Sequence, residues 1–228
     1  GARVRVHTAL SNTGGAGLVL VDDATGAHRV AVVGADGTLD NVITQSRVLQ
    51  MVAAARELVP RRHDALSAVP GLVTSAADEQ RVLRVPRNAP VRVAFERMHK
   101  CGVGAVAVVR GGAAGDDETD THLVGVLSAS DVRALNYDLK RIELAAGTCD
   151  KLLKFVHSRN AVKRPHQPHL IVLAADSTVD QCIGVLTAHR VHRVFVVDDP
   201  RADAPRVTGV VTLTDIVRFL GTTAAAAK

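Results

Sequence analysis

The chain has 228 residues, and 47% of them are hydrophobic, which excludes a disordered polypeptide. The formal net charge of +5 is mild and aromatic residues make up only 2% of the chain, so nucleic-acid binding is not expected. A small basic bias suits an anionic small ligand instead. The abundance of valine, with helical stretches between the valine-rich runs, predicts an α/β (α+β) fold with buried strands.

The N-terminal part of the chain reads as half of a repeating unit. Residues 18–21 and 30–33 read as strands, and residues 41–47 end a strand and enter a helical pattern that starts at Val48. The helix that would precede these strands is not visible, because residues 11–17 are rich in glycine. Either this repeat is degenerate, or the chain is truncated or gapped.

Two complete β-α-β-β-α units follow. The predicted strands are residues 82–85, 105–109 and 123–127 in the first unit and residues 169–173, 194–197 and 207–211 in the second. Each unit has a helix whose apolar residues recur at the spacing of one buried face, from Val91 to Met98 and from Val179 to Leu186. Ser177 is the predicted N-cap of the second of these helices, since Asp180 follows three residues later. Residues 139–167, between the units, are interpreted as a linker.

The same short string closes each unit and enters a second helix. It reads G-V-L-S-A-S-D at residues 125–131 and G-V-V-T-L-T-D at residues 209–215. A hydroxyl and the N–H groups of a first helical turn can hold an anion, and a carboxylate there can accept hydrogen bonds from the two hydroxyls of a ribose. The candidate site residues are therefore Ser128, Asp131, Thr212 and Asp215, with Val126 and Val210 beside a flat base. The alternative is that these residues are ordinary helix N-caps.

The N-terminal half-repeat carries Arg47 where the two complete units carry the acid. An arginine cannot accept hydrogen bonds from a ribose. We therefore expect that position to be weak or empty for a nucleoside.

Two basic pairs precede valine-rich strands at corresponding places of the repeats. These pairs are His28-Arg29 and His192-Arg193, whereas the middle repeat has Cys101-Gly102 at this place in our alignment. Arginine is suited to bidentate contact with phosphate, so the pairs are candidate phosphate ligands. The alternative is a solvated loop in which basic residues have no ligand.

Signatures of catalysis are missing from the sequence. It contains no G-x-S-x-G, no G-x-x-x-x-G-K-[ST] and no H-E-x-x-H string. The three cysteines are scattered, without a Cys-x-x-Cys pair. We expect no catalytic residues, no metal and no tightly bound cofactor, and a cytoplasmic location with the nucleus as a second compartment.

The order of elements and the G-h-h-[ST]-x-[ST]-D string resemble the CBS (cystathionine-β-synthase-type) domain, whose repeats pair into Bateman modules. The resemblance implies a partial repeat at residues 1–55, CBS repeats at residues 68–138 and 150–221, and a tail at residues 222–228. The strings around residues 28–49 and 191–216 further resemble the γ-subunit family of AMP-activated, Snf1-type protein kinases. Three departures from that family are the Cys101-Gly102 pair, an acidic insertion at residues 116–120 and the missing first repeat.

The resemblance implies a non-catalytic module that binds AMP, ADP or ATP as a regulatory ligand. Asp131 and Asp215 would bind ribose. The phosphate and hydroxyl contacts would come from Ser128, Thr212, Thr214, His192, Arg193, His28 and Arg29, and the adenine cleft from Val103, Val126, Leu170, Val191 and Val210. The implied partners are kinase catalytic and scaffold subunits, and a homodimer of Bateman modules is a further option. Two alternatives stay open: a stand-alone sensor of another adenosyl ligand such as S-adenosylmethionine, and a ligand-free interaction scaffold.

Overall fold

The computed structural model describes residues 5–7, 19–21, 29–34, 36–111, 121–135, 142–163, 168 and 170–226. The glycine-rich segment 11–17, His28 and the acidic insertion lie outside these residues. The strands are β1 Arg5–His7, β2 Val19–Val21, β3 Arg29–Val33, β4 Leu39–Thr44, β5 Thr74–Ser75, β6 Arg84–Pro86, β7 Ala105–Val109, β8 Leu123–Ser128, β9 Val172–Ala174, β10 Arg193–Val197 and β11 Val207–Thr212. The helices are α1 Gln45–Ala54, α2 Val91–Lys100, α3 Val132–Leu135, α4 Ile142–Ala145, α5 Cys149–Lys163, α6 Val179–Ala188 and α7 Leu213–Ala226.

Each complete repeat forms its own mixed sheet. In the first repeat, β6 runs parallel to β7 and β7 antiparallel to β8. In the second, β9 runs parallel to β10 and β10 antiparallel to β11, and the short β5 adds an antiparallel strand beside β11. The half-repeat contributes the antiparallel hairpin β3–β4, and β1 pairs with β2. The predicted tandem β-α-β-β-α architecture is confirmed.

The apolar spacing identified the helices α2 and α6 correctly. Their predicted faces are buried, apart from the partly buried Phe95 of α2, and the face of α6 includes Cys182 and Ile183. The predicted N-cap of α6 is wrong by one residue, since Thr178 and Gln181 form a reciprocal capping box. Ser177 instead uses its hydroxyl to accept the backbone N–H of Ala174 at 3.2 Å, which closes the turn after β9.

The two repeats share an apolar core. Val82, Ala107 and Leu123 of the first repeat pack with Phe195 and Val210 of the second, all nearly inaccessible to solvent. Full burial of one such large side chain contributes about 1.5–3 kcal/mol. The edges of the hairpins also meet, because the N–H of Leu123 donates to the carbonyl of Pro205 at 2.7 Å. The repeats therefore form a continuous pair, as a Bateman module requires.

Most of the segment interpreted as a linker is helical, and that interpretation is wrong. Helix α5 packs against the first repeat, where Leu152, Leu153 and Val156 are buried in its core. Gly125 of β8 allows this approach, because a Cβ there would lie 2.8 Å from a methyl group of Leu153. Helix α7 also continues to Ala226, into the segment that was assigned to a tail.

The start of α5 is fixed by ion pairs. Asp150 accepts from Arg87 at 2.7 Å and from Lys154 at 2.8 Å. The hydrogen bond from Lys154, followed by the charge of Arg87, lowers the pKa of Asp150 despite partial burial, which acts in the opposite direction. The pair with Arg87 ties α5 to the turn between β6 and α2, and the pair with Lys154 lies within the helix.

The half-repeat packs on the second repeat. Leu49 of α1 and Val59, Leu66 and Val69 of the following segment belong to the same buried cluster as the core of α6 and α7. None of the helices in the described part of the chain has the length and apolar character that crossing a membrane requires.

Candidate ligand-binding site

A first cavity of about 180 Å³ lies between the two complete repeats. Val126, Ser128 and Asp131 line it from the first repeat, at the end of β8 and in the turn that follows. The second repeat and α5 form the remaining walls, with Leu170, Val191, Arg193, Phe195, Val156, His157 and Asn160. We call this space the Asp131 cavity. A carboxylate, apolar walls and a guanidinium thus converge from separate parts of the chain.

A second and larger cavity of about 1190 Å³, here the central cavity, lies where the half-repeat meets both complete repeats. The half-repeat contributes Arg29, Thr44, Gln45 and Ser46, the first repeat contributes Arg81, Phe95, Met98, His99, Val103 and Gly104, and the second contributes His192, Arg193, Val210, Thr212 and Thr214. Basic side chains from all three units line this cavity, so it suits an anionic ligand.

The two acids of the repeated string have the same local geometry. One oxygen of Asp131, Oδ2, accepts the backbone N–H of Ser128 at 2.7 Å and its hydroxyl at 3.0 Å. Oδ2 of Asp215 likewise accepts the N–H of Thr212 at 2.9 Å and its hydroxyl at 2.7 Å. The capping interpretation is thus correct for one oxygen of each acid. It leaves Oδ1 of each acid for a further interaction.

The surroundings of the two acids differ. Asp131 is partly exposed and lines its cavity directly. The side chain of Asp215 is only 2% exposed, and its Oδ1 lies 3.5 Å from Nη2 of Arg81 and 3.9 Å from Nη1 of Arg218. Burial, with a further contribution from the charge of Asp215, raises the pKa of the neighbouring Cys182 thiol to about 12.

Arg193 extends from the second repeat towards the first and lines both cavities. A Cβ on Gly104 would lie only 2.9 Å from its Nη2, so the guanidinium occupies the space that any other residue at position 104 would fill. Burial lowers the pKa of Arg193, and the negative charge of Asp215 opposes that shift.

The strand register corrects one alignment made from the sequence. Arg29 pairs with Thr44, and Arg193 pairs with Thr212. Ser128, the matching hydroxyl residue of the middle repeat, pairs with Ala105. The residues that replace the basic pair are therefore Gly104 and Ala105 and not Cys101-Gly102. The connections from α2 to β7 and from α6 to β10 have the same length, and the equivalent residues Gly102 and Arg190 have φ values of 63° and 54°.

The remaining predicted residues are distributed between the cavities. Arg29, His192, Val103 and Val210 line the central cavity, whereas Val126, Leu170 and Val191 line the Asp131 cavity. The Thr214 side chain pairs with the Gln45 side chain, whose Nε2 donates to Oγ1 of Thr214 at 3.1 Å. Arg47 is exposed, and its backbone N–H donates to the hydroxyl of Thr44.

Four polar residues are among the lining residues that sequence reasoning missed. His157 and Asn160 belong to α5, whose helix was not predicted, and Gln45 and Arg81 were not singled out. The signal for Gln45 was its place directly after Thr44 at a strand-helix junction. Arg81 carries no local signal, because it lies in an irregular segment before β6.

Comparisons with known proteins identify the family of this fold. The family model described as the CBS domain matches residues 78–137 and 166–222, which together make up half of the chain. The chain belongs to the CBS domain family. A relative from Arabidopsis thaliana, named SNF1-related protein kinase regulatory subunit gamma-like PV42b, is 27% identical over 210 residues, which cover 84% of this chain and 57% of the relative.

Two solved structures share the CBS fold. A Methanocaldococcus jannaschii protein, titled as a candidate archaeal homologue of the AMPK γ subunit, matches with a TM-score of 0.60 at 13% identity, over 86% of this chain and 60% of that one. The CBS protein CBSX2, from Arabidopsis thaliana and solved in complex with AMP, matches with a TM-score of 0.50 at 20% identity, over 70% of this chain and 98% of that one. The chain spans little more than half the length of the γ-like relative.

Proposed function

We propose that this chain is a non-catalytic regulatory module that binds an adenine nucleotide in the clefts between its CBS repeats. The observation that carries the proposal is the Asp131 cavity. There one repeat supplies a carboxylate for ribose, and the other supplies apolar walls and Arg193. The CBSX2 structure with AMP supports the ligand class, and the γ-like relative supports a regulatory role.

The side chains favour a phosphorylated ligand over other adenosyl compounds. Arg193 lines both cavities, and Arg29, Arg81 and His192 line the central one. Arginine side chains match phosphate oxygens in geometry and charge. S-adenosylmethionine carries a sulfonium cation, which such a surface repels. AMP, ADP and ATP are therefore the proposed ligands, bound reversibly.

Nucleotide binding would act by shifting populations. A ligand that contacts both repeats favours the arrangement in which they close around it, and a partner protein binds that arrangement more tightly. We propose that the partners are the catalytic and scaffold subunits of an Snf1-type kinase. Co-expression with those subunits, followed by size-exclusion chromatography, tests this step, and light scattering of the chain alone tests for a homodimer.

The ligand test is calorimetric titration of AMP, ADP, ATP and S-adenosylmethionine into the unsubstituted chain and into Asp131→Asn and Asp215→Asn. The amide keeps an oxygen for the helix cap but loses one acceptor for the ribose. We expect each substitution to weaken one nucleotide site by about tenfold or more, as for loss of a hydrogen bond to a charged group. Asp203→Asn, in an exposed loop, is the matched control.

Thermal unfolding gives a second readout. A ligand at about one hundred times its dissociation constant stabilises the fold by about 2.7 kcal/mol. For a chain of this size the unfolding midpoint then rises by about 5–10 °C. Heat and midpoint shifts with S-adenosylmethionine alone would favour the adenosyl-sensor alternative. No response to any of the four compounds would favour the ligand-free scaffold, and nucleotide turnover would overturn the non-catalytic assignment.

A further inference from the structure

Arg81 lies against the carboxylate of Asp215, the second acid that we propose for ribose binding. Its Nη2 lies 3.5 Å from Oδ1 of Asp215, and Oδ2 of that acid already accepts the two hydrogen bonds from Thr212. Oδ1 is therefore the oxygen that a ribose would need. The side chain of Arg81 is 53% exposed and lines the central cavity, whereas that of Asp215 is only 2% exposed and does not line it.

Arg81 contacts the acid through its side chain, which can move while its backbone stays in place. The backbone of Arg81 is anchored, because its N–H donates to both the carbonyl and the side chain of Asp78 at 3.1 Å. The segment around it connects β5, in the sheet of the second repeat, with β6, in the sheet of the first. Arg81 thus stands at the junction of the two repeats.

The Asp131 cavity has a different arrangement. The hydrogen bonds of Asp131 within the described residues come from Ser128, and its side chain faces the cavity directly. The strand registers place Arg84 and Val172 at equivalent positions, so the equivalent of Arg81 is His169. His169 lies outside the described residues, but its identity shows that the second repeat has no arginine there.

We propose that Arg81 is a specificity-determining residue that makes the Asp215 site selective for phosphorylated nucleosides, an inference that rests on the proposed function. A ribose that binds Oδ1 displaces the guanidinium from its carboxylate partner. The displaced cation needs a new anion, and a phosphate group on the same ligand supplies it within the cavity. A nucleoside without phosphate breaks the ion pair but supplies no anion to pair with the displaced guanidinium.

The test compares AMP with adenosine in the Asp131→Ala protein, so that the Asp215 site is measured alone. Calorimetry gives the ratio of the two dissociation constants, with adenosine over AMP as the phosphate preference. We expect Arg81→Gln to lower this ratio about tenfold or more, because AMP loses a charged contact and adenosine no longer competes with the ion pair.

Arg218→Gln is the matched control. Arg218 contacts the same oxygen of Asp215 at 3.9 Å but does not line the central cavity. Its loss removes a neighbouring charge from the acid without removing a cation from the cavity. We expect it to change AMP and adenosine affinities by similar factors and to leave their ratio within about twofold.

The outcomes separate this inference from the proposed function. An unchanged ratio in Arg81→Gln, or an equal drop in Arg218→Gln, would overturn the role of Arg81 while nucleotide binding stands. Failure of AMP to bind the Asp131→Ala protein, with binding retained by the unsubstituted chain, would also overturn it. Failure of AMP to bind the unsubstituted chain would refute the proposed function itself.

Discussion

Substitution of Gly104 by alanine should weaken ligand binding and leave the fold stable. The added Cβ would lie 2.9 Å from Nη2 of Arg193, which is closer than a Cβ approaches non-bonded atoms in folded proteins. The obstructing atom is the end of a flexible side chain, so the arginine can rotate away at little cost. Gly104 has no positive φ, and we expect the free energy of unfolding to change by less than about 1 kcal/mol.

The effect on binding follows from where the displaced group lies. Arg193 lines both cavities, and its guanidinium is the cation that the two repeats share. Loss of one charged hydrogen bond to a phosphate costs about 1.5–3 kcal/mol, which corresponds to a drop in affinity of about 10- to 100-fold. Calorimetric titration of AMP measures this drop, and urea denaturation measures stability.

Gly209→Ala is the contrasting control. A Cβ at Gly209 would lie 2.6 Å from a methyl group of Val73 and 2.7 Å from the backbone carbonyl oxygen of Thr74 in β5. Because backbone cannot rotate away, overpacking there should destabilise the fold by about 1–3 kcal/mol.

A double-mutant cycle gives the decisive result. If Gly104→Ala acts by displacing Arg193, it should weaken AMP binding little further in an Arg193→Ala background. Fully additive effects of the two substitutions, or unchanged AMP affinity in Gly104→Ala, would refute the reasoning.

Two further predictions follow from the ionisable groups. Burial raises the pKa of Cys149 to about 11 and of Cys182 to about 12. At pH 8 only the exposed Cys101 should therefore react quickly with a thiol reagent in the native protein, whereas all three thiols should react in denaturant. Rapid reaction of more than one thiol in the native protein would contradict the burial. Asp150→Asn should lower the free energy of unfolding by about 1 kcal/mol at pH 7, because ion pairs including that with Lys154 are lost. Since these pairs lower the pKa of Asp150, the difference from the unsubstituted protein should persist above pH about 4 and vanish as pH falls through the lowered pKa; a difference that grows in acid would contradict this assignment.

Local periodicity was enough to predict much of the fold. The helices α2 and α6 follow from apolar residues on one face, and β7 runs from Ala105 to Val109 as predicted. The repeated string located Asp131 and Asp215 because its capping geometry is local to one turn. These features depend on neighbours in sequence, which is why the sequence alone reveals them.

Features that depend on distant contacts were not predictable in this way. Helix α5 is apolar mainly in its first two turns, so its pattern is short, and it is held by burial against the first repeat. The alignment of the middle repeat failed because Gly104 and Ala105 carry no basic side chain that would mark their position, whereas the strand register places Ala105 opposite Ser128. Arg81 meets Asp215 across 134 positions of the chain.

These contacts make the pair of repeats, and not the single repeat, the unit that can bind. The Asp131 cavity takes its carboxylate from the first repeat but its guanidinium from the second, whereas the central cavity combines Thr212 of the second repeat with Gly104 of the first. Because the middle repeat lacks a basic pair of its own, Gly104 leaves room for Arg193 to reach across. A change in how the repeats pack would therefore alter both cavities together. That physical link is what a regulatory module needs in order to convert ligand binding into a change that a partner can detect.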